Sequence, residues 1–159
     1  QGVMAATTTE KKAKAPKQRL LLAEDHDANR KILSKILQSK GYRVKAVVNA
    51  AKAMAALEKK DGDYAICLCD QIMPPGATGT ELAVDVRKRW PYIPFLLLTG
   101  IEDEAVAKAV SAGVVDQVVP KPGPDPDQLA VILERTRLER AKKYPPPVRV
   151  KPDPPAPSS

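Results

Sequence analysis

Glu24 and Asp25 stand side by side, Asp70 and Thr99 each close an apolar run, and Lys121 sits between two prolines. Residues of these types can handle a phosphoryl group. Carboxylates take a hard cation, an Asp oxygen can act as a nucleophile, and a hydroxyl and an ammonium steady charge on phosphoryl oxygens. Singly, each residue has a structural explanation, because Asp and Thr often end strands or cap helices. Brought together they demand another. Two carboxylates about 4 Å apart repel by about 4 kcal/mol at an effective dielectric of 20, so a cluster calls for a cation or a raised pKa. Oxygen ligands with room for water favour Mg²⁺.

Positioning them is the task of five short apolar runs, Leu20 to Ala23, Val44 to Val48, Ala65 to Cys69, Phe95 to Leu98 and Val114 to Val119. Near-continuous apolarity marks strands covered on both faces. Between the runs lie helical spacings. Ala28, Ile32, Leu33, Ile36 and Leu37 make one stripe, and Leu82, Ala83, Val86 and Trp90 another. Asn49 is placed to cap AAKAMAALEKK, with Asp61-Gly62 closing it. A fourth helix is expected near Glu102 to Ala112, and a fifth from about Asp127 to Lys143. Alternating strands and helices with right-handed crossovers predict an α/β fold with a doubly wound, five-stranded parallel sheet and five helices. Ligands of such sheets bind beyond the carboxyl ends of the strands, where Glu24, Asp25, Asp70, Thr99 and Lys121 all fall.

The net charge of +7 is uneven. Four lysines against Glu10 give the N-terminal segment about +3, and the last nineteen residues carry about +3 more, leaving the middle near neutral. Residues 1–17 are small, polar and basic, and residues 144–159 are Pro-rich. Both tails are expected to be disordered or extended around a domain spanning 18–143. Neither nucleic acid nor a membrane is expected as a direct partner. Cys67 and Cys69 read as strand residues in a reducing, cytoplasmic setting.

LLLAEDHDANRKIL, CLCDQIMPPGATGTEL, FLLLTG and VVPKP resemble, in order and spacing, the four signatures of response-regulator receiver domains of two-component signalling. The resemblance covers about residues 18 to 143, and DANRKIL is closest to receivers of hybrid histidine kinases. It implies a flavodoxin-like sheet of order 2-1-3-4-5. It also implies that Asp70 accepts phosphate from a histidine kinase or histidine phosphotransfer protein. Asp25 and Asp70 would bind Mg²⁺ directly, Glu24 through water, and the carbonyl of Ile72 would complete the protein ligands. Thr99 and Lys121 would contact the phosphoryl group, Gly100 would leave it room, and Lys121-Pro122 would be cis. A homodimer or output domain would use the face of the fourth helix, fifth strand and fifth helix.

Departures from that pattern are local. MPPGATG is one residue longer than usual and puts Thr78 before Gly79; Val118 stands where the family has an aromatic ring; KPGPDP replaces Lys-Pro-Phe. Val118 supports an alternative, an interaction module that works without phosphorylation. A hydrolase is disfavoured because Ile72 occupies the place of a second catalytic Asp, and no Gly-rich phosphate loop follows the first run. Turnover of a second substrate is not expected. Elsewhere, His26 reads as a solvated loop residue and Asp27 as a helix cap. Trp90 reads as a core anchor, Arg87, Lys88 and Arg89 as a solvated helix end, and Arg135, Arg137 and Arg140 as an exposed face.

Overall fold

A computed structural model describes residues 17–101 and 103–150. The elements are β1 (Arg19–Ala23), α1 (Asp27–Ser39), β2 (Arg43–Val47), α2 (Ala50–Lys59), β3 (Ile66–Asp70), α3 (Gly79–Arg89), β4 (Phe95–Thr99), α4 (Glu104–Ser111), β5 (Gln117–Pro120) and α5 (Pro126–Lys143). The strands pair in parallel in the order β2-β1-β3-β4-β5, as expected. Successive side chains go to opposite faces. Leu20 and Leu22 join a core with α1 and α5, while Leu21 and Ala23 join one with α2, α3 and α4. Both faces are covered, so alternation in space leaves no alternation in the sequence. Each fully buried leucine contributes about 1.5–3 kcal/mol.

Caps set where the helices begin. Asn49 accepts from the Lys52 N–H, and Asp61 and Gly62 after α2 take positive φ of 50° and 70°. Thr78 and Glu81 form a reciprocal capping box on α3. α5 starts at Pro126 with Asp125 as its cap. At α1 the cap is His26, whose ring nitrogen faces the Asn29 N–H at 3.4 Å. Asp27 instead lies inside the first turn and pairs with Arg30. β5 starts three residues later than the apolar run, because the N–H groups of Val114 and Val115 close α4 by donating to Ala109. Asp103 caps α4; Glu102, expected at its start, lies outside the described residues.

Two arginines expected at the surface are drawn inward, Arg140 buried and Arg87 half-buried. Arg87 donates to Asp116 Oδ2 at 2.7 Å and Arg140 to Asp116 Oδ1 at 3.2 Å, and the same carboxylate accepts from the Phe95 N–H at 2.8 Å. Asp116 precedes β5 and Phe95 opens β4, so this node ties both strands to α3 and α5 at the base of the sheet. Trp90 is buried in the core as expected, whereas Ile32 on α1 is 58% exposed. Lys121-Pro122 is cis as implied, and Pro74-Pro75 is cis as well. Residues 145–150 form neither helix nor strand, and Arg149 donates to the Asp61 carbonyl and the Tyr92 hydroxyl. The rest of both tails lies outside the described residues. Among these residues no helix is long and apolar enough to cross a membrane.

Candidate phosphoryl and metal site

The carboxyl edge of the sheet assembles the predicted cluster. Glu24 follows β1, Asp70 ends β3, Thr99 ends β4 and Lys121 follows β5. Ladder register sets their level: Asp70 lies opposite Leu98, and Thr99 opposite Pro120. Carboxylate oxygens of Glu24, Asp25 and Asp70 lie within 4.8 Å of one another. Glu24 is fully buried, Asp70 nearly so, and Asp25 is the most open of the three. The Lys121 ammonium donates to Glu24 Oε1 at 2.8 Å and to Asp70 Oδ2 at 2.9 Å.

Opposing influences act on each ionisable group. Burial pushes Glu24 upward, but the Lys121 ammonium and the His26 N–H at 3.0 Å outweigh it and hold this carboxyl below its ordinary range. For Asp70 burial wins: with the Glu24 charge adding to it, the pKa is raised despite the Lys121 bond. Burial alone would lower Lys121; its bonds to the two carboxylates raise it instead. Three carboxylates against one ammonium leave an excess of negative charge, and hard oxygen donors of this kind fit a small divalent cation.

Three residues that carry no sequence signal of their own hold the acidic loop and its neighbour. Arg30 donates to the carbonyls of Glu24 at 3.0 Å and Asp25 at 3.4 Å, fixing the turn that presents both acids. Gln71, directly after Asp70, and Thr80 are both buried and bonded to each other. No donor among the described residues meets the Ile72 carbonyl oxygen, and the Ile72 side chain is half-exposed beside Asp70.

Thr99 and Gly100 reach the site but are engaged locally. The Thr99 hydroxyl accepts from the Ile101 N–H at 3.2 Å and faces the Ile101 carbonyl at 3.4 Å. A Cβ on Gly100 would stand 3.2 Å from the Lys121 carbonyl oxygen, so its smallness lets the loop after β4 lie against the lysine's backbone. Val118 is half-buried on β5 and packs against the core beneath α4.

A parallel sheet of order 2-1-3-4-5 with an acidic cluster and a lysine at its carboxyl edge defines a receiver domain. The chain belongs to the response regulator receiver domain family, which it matches over residues 20–134. It is 33% identical over 103 residues to the sensor kinase CckA of Brucella abortus (strain 2308), a match covering 65% of this chain and 11% of that protein. The response regulator RppA of Synechocystis sp. is 30% identical over 120 residues, covering 75% of this chain and 49% of that protein. The chain thus spans about a tenth of the first relative and about half of the second. Among solved structures, the signal receiver domain of an HD domain-containing protein from Pseudomonas fluorescens Pf-5 superposes with a TM-score of 0.72. It is 20% identical, with 83% of this chain and 95% of that chain covered, which speaks for the fold alone.

Proposed function

We propose that residues 18–143 act as a phosphoryl-accepting switch whose acceptor is Asp70, loaded from the phosphohistidine of a histidine kinase or histidine phosphotransfer protein. The observation that carries this is the meeting of Glu24, Asp25 and Asp70 within 4.8 Å, with Lys121 bonded to two of them. In the transfer an Asp70 oxygen forms a bond to phosphorus as the phosphorus–nitrogen bond breaks, and the imidazole leaves with its electron pair. Asp25 and Asp70 would hold Mg²⁺ directly, Glu24 through water, and the free Ile72 carbonyl would complete the set. Bound there, Mg²⁺ would neutralise charge on the phosphoryl oxygens. The Lys121 ammonium would do the same. Thr99 would turn its hydroxyl from the Ile101 carbonyl to a phosphoryl oxygen.

The chemistry is directed at the chain's own side chain, with slow loss of phosphate to water. Ile72 and Ile101, both about half-exposed, flank the acceptor with apolar surface that hinders an attacking water. The flanking tails would act as tethers in a cytoplasmic assembly, and the face of α4, β5 and α5 would meet a second copy or an output domain. Val118 favours a second reading, a module that binds partners without phosphorylation, because no aromatic ring is there to follow Thr99.

An NMR titration separates the two. Mg²⁺ followed by beryllofluoride, a phosphoryl stand-in on aspartate, is added to the chain and to Asp70→Asn. The switch requires shifts at Asp25, Asp70, Thr99 and Lys121 with Mg²⁺ and a second set with beryllofluoride only where Asp70 is intact. Silence at millimolar Mg²⁺ leaves the phosphorylation-independent module.

A further inference from the structure

The loop that runs from Asp70 to α3 carries the one proposed metal ligand that is not a carboxylate, and its two ends are fastened to each other. Gln71 is 1% exposed and Thr80 6%. Both side-chain hydrogen bonds of the Gln71 carboxamide go to Thr80: Oε1 accepts from the Thr80 N–H at 2.9 Å, and Nε2 donates to the Thr80 hydroxyl at 3.1 Å. The Gln71 backbone carbonyl accepts from the Gly79 N–H at 2.9 Å, and the Gln71 N–H donates to Leu98 on β4. Four bonds therefore fix the residue between the acceptor Asp70 and the ligand candidate Ile72.

A single donor order satisfies the polar groups beyond it. Gln71 Nε2 donates to the Thr80 hydroxyl, which donates to the Thr78 hydroxyl at 3.1 Å, which donates to Glu81 Oε1 at 3.2 Å. The chain ends on the capping box of α3, and such ordered chains polarise one another. Gly79 makes the closure sterically feasible. A Cβ there would stand 2.5 Å from the Asp70 carbonyl oxygen and 3.1 Å from Gln71 Oε1. Beyond this neck, Met73 is buried, while residues 74–77 are mostly exposed. The neck is rigid where the Ile72 carbonyl leaves it, and the extra length of MPPGATG sits in the exposed part.

An apolar side chain after Asp70 would fill the same space without needing partners for a buried amide. We propose that Gln71 is a positioning residue for the metal and phosphoryl site, acting through its two hydrogen bonds with Thr80 to hold the Ile72 carbonyl toward the acidic cluster. This rests on the Mg²⁺-dependent acceptor reading above. Thr80 is the second half of the clamp, and the hydroxyl chain to Glu81 couples the site to the start of α3.

The test compares Mg²⁺ affinity, read by NMR, in the whole chain and in Gln71→Leu, Thr80→Val and Thr80→Ser. Supporting groups around metal ligands typically cost about tenfold or more in affinity when removed. Gln71→Leu and Thr80→Val are expected to weaken Mg²⁺ binding about tenfold, and Thr80→Ser, which keeps the hydroxyl, to restore it. Without Mg²⁺, hydrogen exchange at the Gly79 amide should quicken about fivefold in Thr80→Val, as loss of one neutral hydrogen bond implies. Variants that melt lower but bind Mg²⁺ as the unaltered chain does would overturn the clamp and leave the acceptor site standing. An unaltered chain that ignores Mg²⁺ would overturn both. Should Gln71→Leu not fold, Thr80→Val decides alone, since it removes one hydroxyl and keeps the backbone N–H.

Discussion

Replacing Lys121 with Met separates two duties that one ammonium performs. In the absence of metal it is the counter-charge for Glu24 and Asp70, at 2.8 and 2.9 Å. Taking one partner from a buried ion pair costs about 3–5 kcal/mol. The lysine side chain is 29% exposed, which reduces the expected loss to about 2–4 kcal/mol. Mg²⁺ should return most of it. A cation at a hundred times its dissociation constant adds about 2.7 kcal/mol of stability. Its affinity should also rise, because an ammonium about 4 Å from a divalent ion repels it by about 2 kcal/mol even at the dielectric of water, more than tenfold in binding. Phosphoryl acceptance moves the other way, falling about a hundredfold with the loss of a charge stabiliser.

Urea unfolding of Lys121→Met at pH 7, with and without millimolar Mg²⁺, reads the first effect, and Mg²⁺ titration followed by acceptance from a phosphohistidine donor reads the others. The expected pattern is a less stable apo domain, near-normal stability in Mg²⁺, tighter metal and slow acceptance. Equal destabilisation in both conditions, or weaker Mg²⁺ binding, would show that Lys121 does not compete with the cation for Asp70, and the electrostatic account of the site would fail.

Three further outcomes follow from groups outside the site. Asp116→Asn leaves two buried guanidiniums sharing an amide, and urea midpoints should show a loss of about 3–5 kcal/mol. Burial pushes the Cys67 thiol up to about 12, whereas an unfolded thiol ionises near 8.5. The unfolded chain therefore loses its proton first, so this thiol's contribution is intact below about pH 8.5 and declines by about 1.4 kcal/mol per pH unit up to about 12. Cys69 is buried and pushed up in the same way, so urea melts from pH 8 to 10 should show about twice that slope, and Cys67→Val should remove about half of it. Arg149→Ala should free residues 145–150, read as lower heteronuclear NOEs at Val148 and Val150, with a change in domain stability under about 1 kcal/mol.

Sequence patterns carried the strands and the acidic edge because both depend on local order. A strand buried on two faces must be apolar throughout, and a site at its carboxyl end must be the next residue or the last one. What stayed hidden depends on residues far apart in the chain. Arg87 reads as part of a solvated helix end and Arg140 as part of an exposed face until the fold sets Asp116 between them, 29 and 24 residues away. Gln71 and Thr80 are nine residues apart across an irregular loop, so no helical or strand period relates them. His26 displaced Asp27 as the α1 cap because the Asp27 carboxylate is taken by Arg30. The late start of β5 came from Val114 and Val115, whose apolar side chains suggested a strand while their N–H groups complete α4.

The ion node lies where β4 and β5 begin, and Thr99 and Lys121 lie where they end, an arrangement that would limit how a signal leaves the site. At the base, Asp116 grips the Phe95 N–H and two arginines, so β4, β5, α3 and α5 are fixed together there. At the top, Thr99 ends β4 and Lys121 follows β5, each leading into a loop before the next helix. A displacement caused by a phosphoryl group on Asp70 would then be absorbed where restraint is weakest, in the loops after β4 and β5. The first is held to the site through Thr99, whose hydroxyl donates to the Ile101 carbonyl, a bond that a phosphoryl oxygen would compete for. Ile101 is 53% exposed, and with valine at position 118 no ring stands behind it to be exchanged for it. In this chain the side chain best placed to report on Thr99 is therefore Ile101, at the rim of the site, rather than a residue of β5.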